Sequence, residues 1–219
     1  MKLISGITSF IRRGWGLLTF QSSEKYWIER YRRGENSGCG SYGKLALYKA
    51  DIVNGFVETN GISTIIEYGC GDGNQLKLAK YPSYIGFDIS PEAIFRCRDL
   101  FKDDPTKTFN LMSKYRGEKA ELTLSLDVIY HLVENDVFKK YMYRLFHSSQ
   151  KYTIIYSTNF EENALKGPHI KHRHFTEWIK INLPAWELIS HIPSSSSNGP
   201  KMKQTANADF FIYQETQQP

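Results

Sequence analysis

The strongest constraint on this chain is a loop in which glycine recurs at every second position, Gly69-Cys70-Gly71-Asp72-Gly73. It directly follows the β-branched run Ser63-Thr64-Ile65-Ile66-Glu67-Tyr68. β-Branched residues fit a buried strand, and alternate glycines let the main chain turn tightly and let a ligand approach bare backbone. The pattern predicts a helix from Gln75 onward, whose first N–H groups would face a carboxylate or phosphate. Asp88 closes the next apolar run, Tyr84 to Phe87, 21 positions after Glu67. A carboxylate at that place accepts both hydroxyls of a ribose. The loop therefore reads as the floor of a nucleotide-type site.

The rest of the chain alternates in the way such a site requires. Ser22-Ser23 caps a helix carrying Tyr26, Trp27, Ile28 and Tyr31. Lys44 to Thr59 has helical spacing in Leu45, Leu47, Ile52, Val53 and Phe56, and Asn60-Gly61 ends it. Beyond the loop, Ser90-Pro91-Glu92 opens a helix, Thr108 to Met112 is a weak strand, and Leu122 to Leu126 is a strand closed by Asp127. Val137 to Phe146 is an amphipathic helix, Tyr152 to Tyr156 a strand, and Phe175 to Ile181 a helix. Two last strands, Trp186 to Ile192 and Asp209 to Tyr213, are joined through the flexible Pro193 to Pro200 stretch without an intervening helix. The expectation is an α/β, Rossmann-like, doubly wound sheet of seven mostly parallel strands, with a C-terminal antiparallel hairpin and N-terminal helices. Residues 62–219 form the core of the one domain, and residues 1–61 form a helical lid or cap.

Two glycine patterns compete for the nucleotide. Gly38-Cys39-Gly40-Ser41-Tyr42-Gly43 matches the dinucleotide pattern literally, but the charged Glu29-to-Ser37 stretch before it cannot be a buried strand. The second loop has the right surroundings. A dinucleotide loop would place its third glycine at position 74, which is Asn74, whereas the glycines fall at 69, 71 and 73. This spacing, with the acid Glu67 ahead of it, resembles motif I of the class I S-adenosylmethionine (SAM)-dependent methyltransferases. Tyr84-Ile85-Gly86-Phe87-Asp88-Ile89-Ser90 is similar to that family's second motif, and Leu124 to Leu132 to its fourth. The resemblance spans Ile62 to Tyr156 and the final hairpin. It implies SAM as cofactor, with Glu67, Gly69, Cys70, Gly71 and Gly73 around the methionine part, Asp88 on the ribose and Ile89 on the adenine. It further implies Asp127 beside the methionine amino group and Ser113 near the adenine amine, and Ser41 and Tyr42 belong to the covering lid. From Tyr26-Trp27 onward the pattern resembles small bacterial methyltransferases of surface polysaccharide synthesis, which implies a sugar hydroxyl in a glycan or glycan precursor as acceptor.

A hydroxyl acceptor needs its proton removed, and histidine is the usual base near neutral pH. His131, four residues past Asp127, is the candidate base, with Asp127 beside it. Tyr130, His172, Arg173 and His174 are the candidate acceptor-binding residues. Three readings stay open for the His169-to-His174 cluster: a second base or anion clamp, an exposed basic loop, and a metal site. Its irregular spacing, and the pair Asp127 and Asn159 as only a partial carboxylate set, argue against metal. Leu126-Asp127-Val128-Ile129-Tyr130 stands where enzymes acting on nucleobase amines carry an Asn/Asp-Pro-Pro-aromatic stretch, which argues against DNA bases.

The net charge of +5 is spread along the chain, so no nucleic-acid partner is expected, while an anionic sugar is compatible. Three cysteines without a CxxC pair fit a reducing cytoplasm. The stretch Met1 to Phe20 has helical apolar spacing interrupted by Arg12-Arg13, which fits either packing on the domain or peripheral contact with the inner membrane face. The alternatives to a glycan O-methyltransferase are a methyltransferase of a small metabolite or RNA and a nucleotide-dependent oxidoreductase. The sequence does not fix an oligomeric state.

Overall fold

The structure is a computed structural model that describes residues 20–161, 167–194 and 208–216. Residues 1–19 of the segment for which membrane-surface contact is expected, and residues 195–200 of the stretch from Pro193 to Pro200, lie outside these residues. Seven strands form one sheet in the order β3-β2-β1-β4-β5-β7-β6. They are β1 Thr64–Tyr68, β2 Ser83–Asp88, β3 Lys107–Leu111, β4 Ala120–Leu126, β5 Ser149–Ser157, β6 Trp186–Ile192 and β7 Asp209–Glu215. Strands β1 to β5 pair in parallel, and β7 runs antiparallel between β5 and β6. The doubly wound sheet and its C-terminal hairpin are as expected.

Five α-helices accompany it among the described residues: α1 Ser23–Arg32, α2 Gly43–Thr59, α3 Pro91–Leu100, α4 Asn135–His147 and α5 Phe175–Asn182. Strand alternation feeds two cores. Ile65, Leu122 and Leu124 pack with Val53 and Val57 of α2 and Ile94 of α3 on one face. Ile66 and Ile155 pack with Phe138 and Met142 of α4 and Ile179 of α5 on the other. Two polar pairs lie inside the second face: Thr123 and Thr153 share a hydrogen bond of 2.9 Å, and Tyr141 donates to Ser125 at 2.7 Å. No helix among the described residues is long and apolar enough to cross a membrane.

Two elements differ from the sequence expectation. After the glycine loop there is only a single 3-10 turn, Gln75–Leu78, not an α-helix. Pro82 lacks an N–H and biases Tyr81 away from helical angles. In addition, the side chain of Asn54 on α2 takes Leu78 O and Lys80 N, so the chain is tied off after one turn. The second difference is in α2, which is part of the core and not of the cover. Its buried ridge is Leu45, Lys49, Val53 and Val57, while Leu47 is 53% exposed.

Candidate cofactor and acceptor site

The order of the sheet reverses between β1 and β4, and ligands of open α/β sheets bind beyond the carboxyl ends of the strands at such a point. There β1 runs into the glycine loop and β4 into Asp127. A cavity of about 180 Å³ lies between them. Its lining includes Glu67, Gly69, Cys70, Gly71, Asp88, Ile89, Asp127 and His131, so residues 64 positions apart converge on one space. Gly69 and Gly71 have φ of 85° and 60°. A Cβ at Gly69 would meet Val128 Cγ2 at 2.6 Å, and one at Gly71 would collide with Ser37 Oγ. These two positions therefore require glycine both for conformation and for space.

Gly73 serves another purpose. A Cβ there would press on Cys97, Phe101 and Leu100, so this glycine admits α3 against the loop and lies outside the cavity lining. Ser113 is also outside: its side chain is exposed, and Met112, one residue earlier in the 3-10 turn Met112–Lys114, lines the cavity.

The carboxylates are held firmly. Asp88 Oδ2 accepts from Gly71 N at 3.0 Å and its Oδ1 from Ser90 N at 2.9 Å. Burial nevertheless pushes its pKa up to about 6, against the pull of these donors. Glu67 is raised to about 7 by burial, although Tyr84 donates to it at 2.6 Å and Lys49 is near. Asp127 sits at φ 61°, a left-handed conformation that aspartate tolerates better than most residues. Its Oδ2 is 2.6 Å from Lys49 Nζ, and its Oδ1 accepts from Tyr130 OH at 2.8 Å. Tyr130 is thus an Asp127 partner, outside the cavity lining.

A lid closes the cavity. Ser22 Oγ caps α1 by accepting Lys25 N, and Ser23 donates to Glu134 through both its N–H and its hydroxyl, at 2.9 and 2.6 Å. From α1, Trp27 and Tyr31 reach the cavity. Tyr31 OH and Ser37 Oγ are 2.9 Å apart, and Tyr42 donates to Asp72 at 2.8 Å. Ser41 lines the cavity, and its carbonyl accepts from Asn74 Nδ2 at 2.7 Å, whereas Tyr42 acts only through Asp72. The first glycine pattern is therefore a cover over the second. A Cβ at Gly40 would lie 2.6 Å from Asp127 Oδ2.

His131 ends the 3-10 turn Ile129–His131, not an α-helical turn. Its Nδ1 is 3.1 Å from His169 O. A carbonyl only accepts, so Nδ1 carries the hydrogen and Nε2 the lone pair. Burial lowers its pKa to about 4. Trp27 packs edge-on against the ring at 4.8 Å, and His169 stacks on Tyr26 at 4.2 Å.

The remaining acceptor candidates are placed elsewhere. His172 Nδ1 bonds Thr158 Oγ1 at 2.7 Å, and His174 is the exposed N-cap of α5. Arg173 donates to Leu132 O and Val133 O at 2.7 and 2.8 Å and lies over the Phe138 ring. Arg173 is a strap between segments, not an anion clamp, because its guanidinium is spent on carbonyls. Asn159 pairs with Thr176 and lines a separate open groove on the β6–β7 face, away from Asp127. Among the described residues no three His, Cys, Asp or Glu gather as a metal site. Sequence reasoning missed Lys49, Tyr31, Asp72 and Met112. A lysine on the apolar ridge Leu45-Lys49-Val53-Val57 was the signal available for the first.

The sheet order, the glycine loop after β1 and the acid after β2 are those of the class I methyltransferase fold. Magnesium protoporphyrin IX methyltransferase (ChlM) from Synechocystis PCC 6803, solved with bound SAM, superposes with a TM-score of 0.65 at 13% identity, covering 90% of this chain and 99% of that one. The N-methyltransferase NodS from Bradyrhizobium japonicum WM9, in complex with S-adenosyl-L-homocysteine, gives 0.66 at 13% identity, covering 89% and 99%. A SAM-dependent methyltransferase from Clostridium acetobutylicum ATCC 824 gives 0.58 at 12%, covering 88% and 97%. At these identities the likeness is one of fold. No protein-family model matches the chain, and no curated protein matches it.

Proposed function

We propose that the protein is a SAM-dependent methyltransferase that methylates a hydroxyl of a sugar or glycan precursor. The single observation that carries the cofactor is the cavity between β1 and β4, where Gly69 and Gly71 leave bare backbone and Asp88 and Asp127 stand at two sides. An apolar wall of Ile89 and Met112 suits a flat base, and Asp88 keeps acceptor capacity for a ribose because a carboxylate offers about four lone-pair sites. When bound, SAM supplies an activated methyl group on a sulfonium. Positioning then carries most of the rate.

His131 is read as the group that receives the acceptor proton. It borders the cavity, its Nδ1 hydrogen is committed to His169 O, and the ring is neutral at neutral pH. With a pKa near 4 it is a weak base that polarises a hydroxyl by accepting its hydrogen bond. The aromatic faces of Trp27, Tyr26 and His169 around it suit a ring-shaped acceptor. An anionic acceptor loses support with Arg173 engaged.

Titration calorimetry with SAM, S-adenosylhomocysteine and NAD tests the cofactor. The expected result is binding of the first two, and NAD binding without SAM binding would return the oxidoreductase reading. Methyl transfer from labelled SAM to a panel of sugars, small metabolites and RNA tests the acceptor, with label expected on the sugars.

A further inference from the structure

The face of β6 and β7 that α5 leaves partly uncovered holds an open groove of about 860 Å³, a size that suits a small-molecule site. Trp186 and Phe211 supply its apolar floor. His191 lies flat on the Phe211 ring at 4.6 Å with its side chain 45% exposed, so the outer face of the imidazole is open to a ligand ring. Tyr213 lines the same groove, is only 3% exposed, and its hydroxyl has no hydrogen-bond partner among the described residues. A buried hydroxyl left unpaired costs free energy, which a ligand hydroxyl meeting it would recover. Burial, and then the Glu177 carboxylate on α5, raise the pKa of Tyr213, which places its hydroxyl near the exposed wall of the groove.

The charges disfavour an acid. Glu177, Glu187 and Asp209 stand against one lysine, Lys180, and His191 is engaged by Asp209 at 2.9 Å. Flat apolar rings flanked by carboxylate acceptors suit a ligand ring with apolar C–H faces and hydroxyls at its edge. The groove also leads toward the cavity. Phe160, at one end of it, follows β5 at the carboxyl edge of the sheet, and a row of rings continues from there. Phe160 lies 4.6 Å from His172, His172 6.1 Å from Tyr130, and Tyr130 4.5 Å from His131 in the cavity lining.

We propose that the β6–β7 groove is a binding site for a neutral oligosaccharide, holding the chain of an acceptor whose end reaches His131. This rests on the sugar-acceptor reading above and extends it from one ring to a chain. Calorimetry with maltohexaose, cellohexaose, mannohexaose and xylohexaose, and with hexagalacturonate as an acidic counterpart, tests it. At least one neutral hexaose is expected to bind, with its monosaccharide and hexagalacturonate both about tenfold weaker or worse. Tyr213→Phe deletes only the unpaired hydroxyl and is expected to weaken hexaose binding about threefold to tenfold. His191→Ala removes the exposed ring face and is expected to cost about tenfold. Affinity for S-adenosylhomocysteine should stay within about twofold of wild type in both variants. No hexaose bound, a preference for hexagalacturonate, or hexaose affinity unchanged in both variants would each overturn the proposal. Methyl transfer from labelled SAM separates it from the reading on which it rests. A hexaose that binds through Tyr213 and His191 but takes no label keeps the groove as a saccharide site and removes the sugar acceptor. Label on monosaccharides without hexaose binding keeps the acceptor and removes the groove.

Discussion

Ser37 and Asp72 hold each other reciprocally: Ser37 N donates to Asp72 Oδ2 at 2.9 Å, and Asp72 N donates to Ser37 Oγ at 3.0 Å. This is where the lid is fastened to the glycine loop. Burial raises the pKa of Asp72, but donation by Ser37 N, Tyr42 OH and Asn74 N outweighs it and leaves the group below the usual carboxylate range. The clamp is therefore complete above the ordinary aspartate pKa and is lost as the pH falls through the lower folded value. Asp72→Ala is expected to weaken SAM binding about tenfold and to speed tryptic cleavage after Arg33. Wild-type cleavage kinetics in the variant would refute the clamp.

Glu67 has the opposite sign. Its folded pKa of about 7 lies above the ordinary value, so the folded state binds the extra proton and stability falls as the pH rises from about 4.5 to 7. Asp88, at about 6, adds to the same trend. Glu67→Gln keeps an acceptor for Tyr84 and removes the titration. Urea unfolding at pH 5 and pH 8 is expected to show a smaller loss of stability in the variant, by on the order of 3 kcal/mol. Equal losses would exclude Glu67 as the source.

What the sequence made legible is what local rules control. Ile65 and Ile66 point to opposite cores because strands alternate, Ser90 caps α3 as its side chain requires, and the glycines at 69 and 71 demand their backbone angles. What escaped is set by contacts distant in the chain. The turn after Gln75 stops because Asn54, on another helix, takes its end groups. Arg173 looked available until Leu132 and Val133 presented their carbonyls to it. Lys49 stood in plain view on an apolar ridge, but its partner is 78 positions away.

The Gly38-to-Gly43 pattern gives a prediction of its own. Gly40 has no room for a side chain because a Cβ would meet Asp127 Oδ2 at 2.6 Å, in the group that Lys49 holds. Gly40→Ala is expected to displace the carboxylate and to weaken binding of S-adenosylhomocysteine about tenfold. Gly38 and Gly43 have open space around a Cβ, and their cost is backbone strain alone at φ 93° and 57°. Gly38→Ala should therefore lower thermal stability, by about 1 kcal/mol, and leave affinity nearly unchanged. A larger loss of affinity at Gly38 than at Gly40 would contradict this division.

His131 separates catalysis from binding most sharply. Its ring is neutral through the physiological range, because burial holds its pKa near 4 while the carbonyl of His169 fixes the hydrogen on Nδ1. An unperturbed imidazole would lose its accepting form as the pH falls through about 6.5. Here that form is lost only as the pH falls through about 4, so turnover is expected to show no acid limb from this group between pH 5 and 8. His131→Gln is expected to lower kcat about a hundredfold to ten-thousandfold, with calorimetric affinity for S-adenosylhomocysteine within about twofold of wild type. Full turnover in His131→Gln, or an acid limb near pH 6.5 that the variant abolishes, would each remove His131 in the form described, the first as proton acceptor and the second as a buried neutral ring.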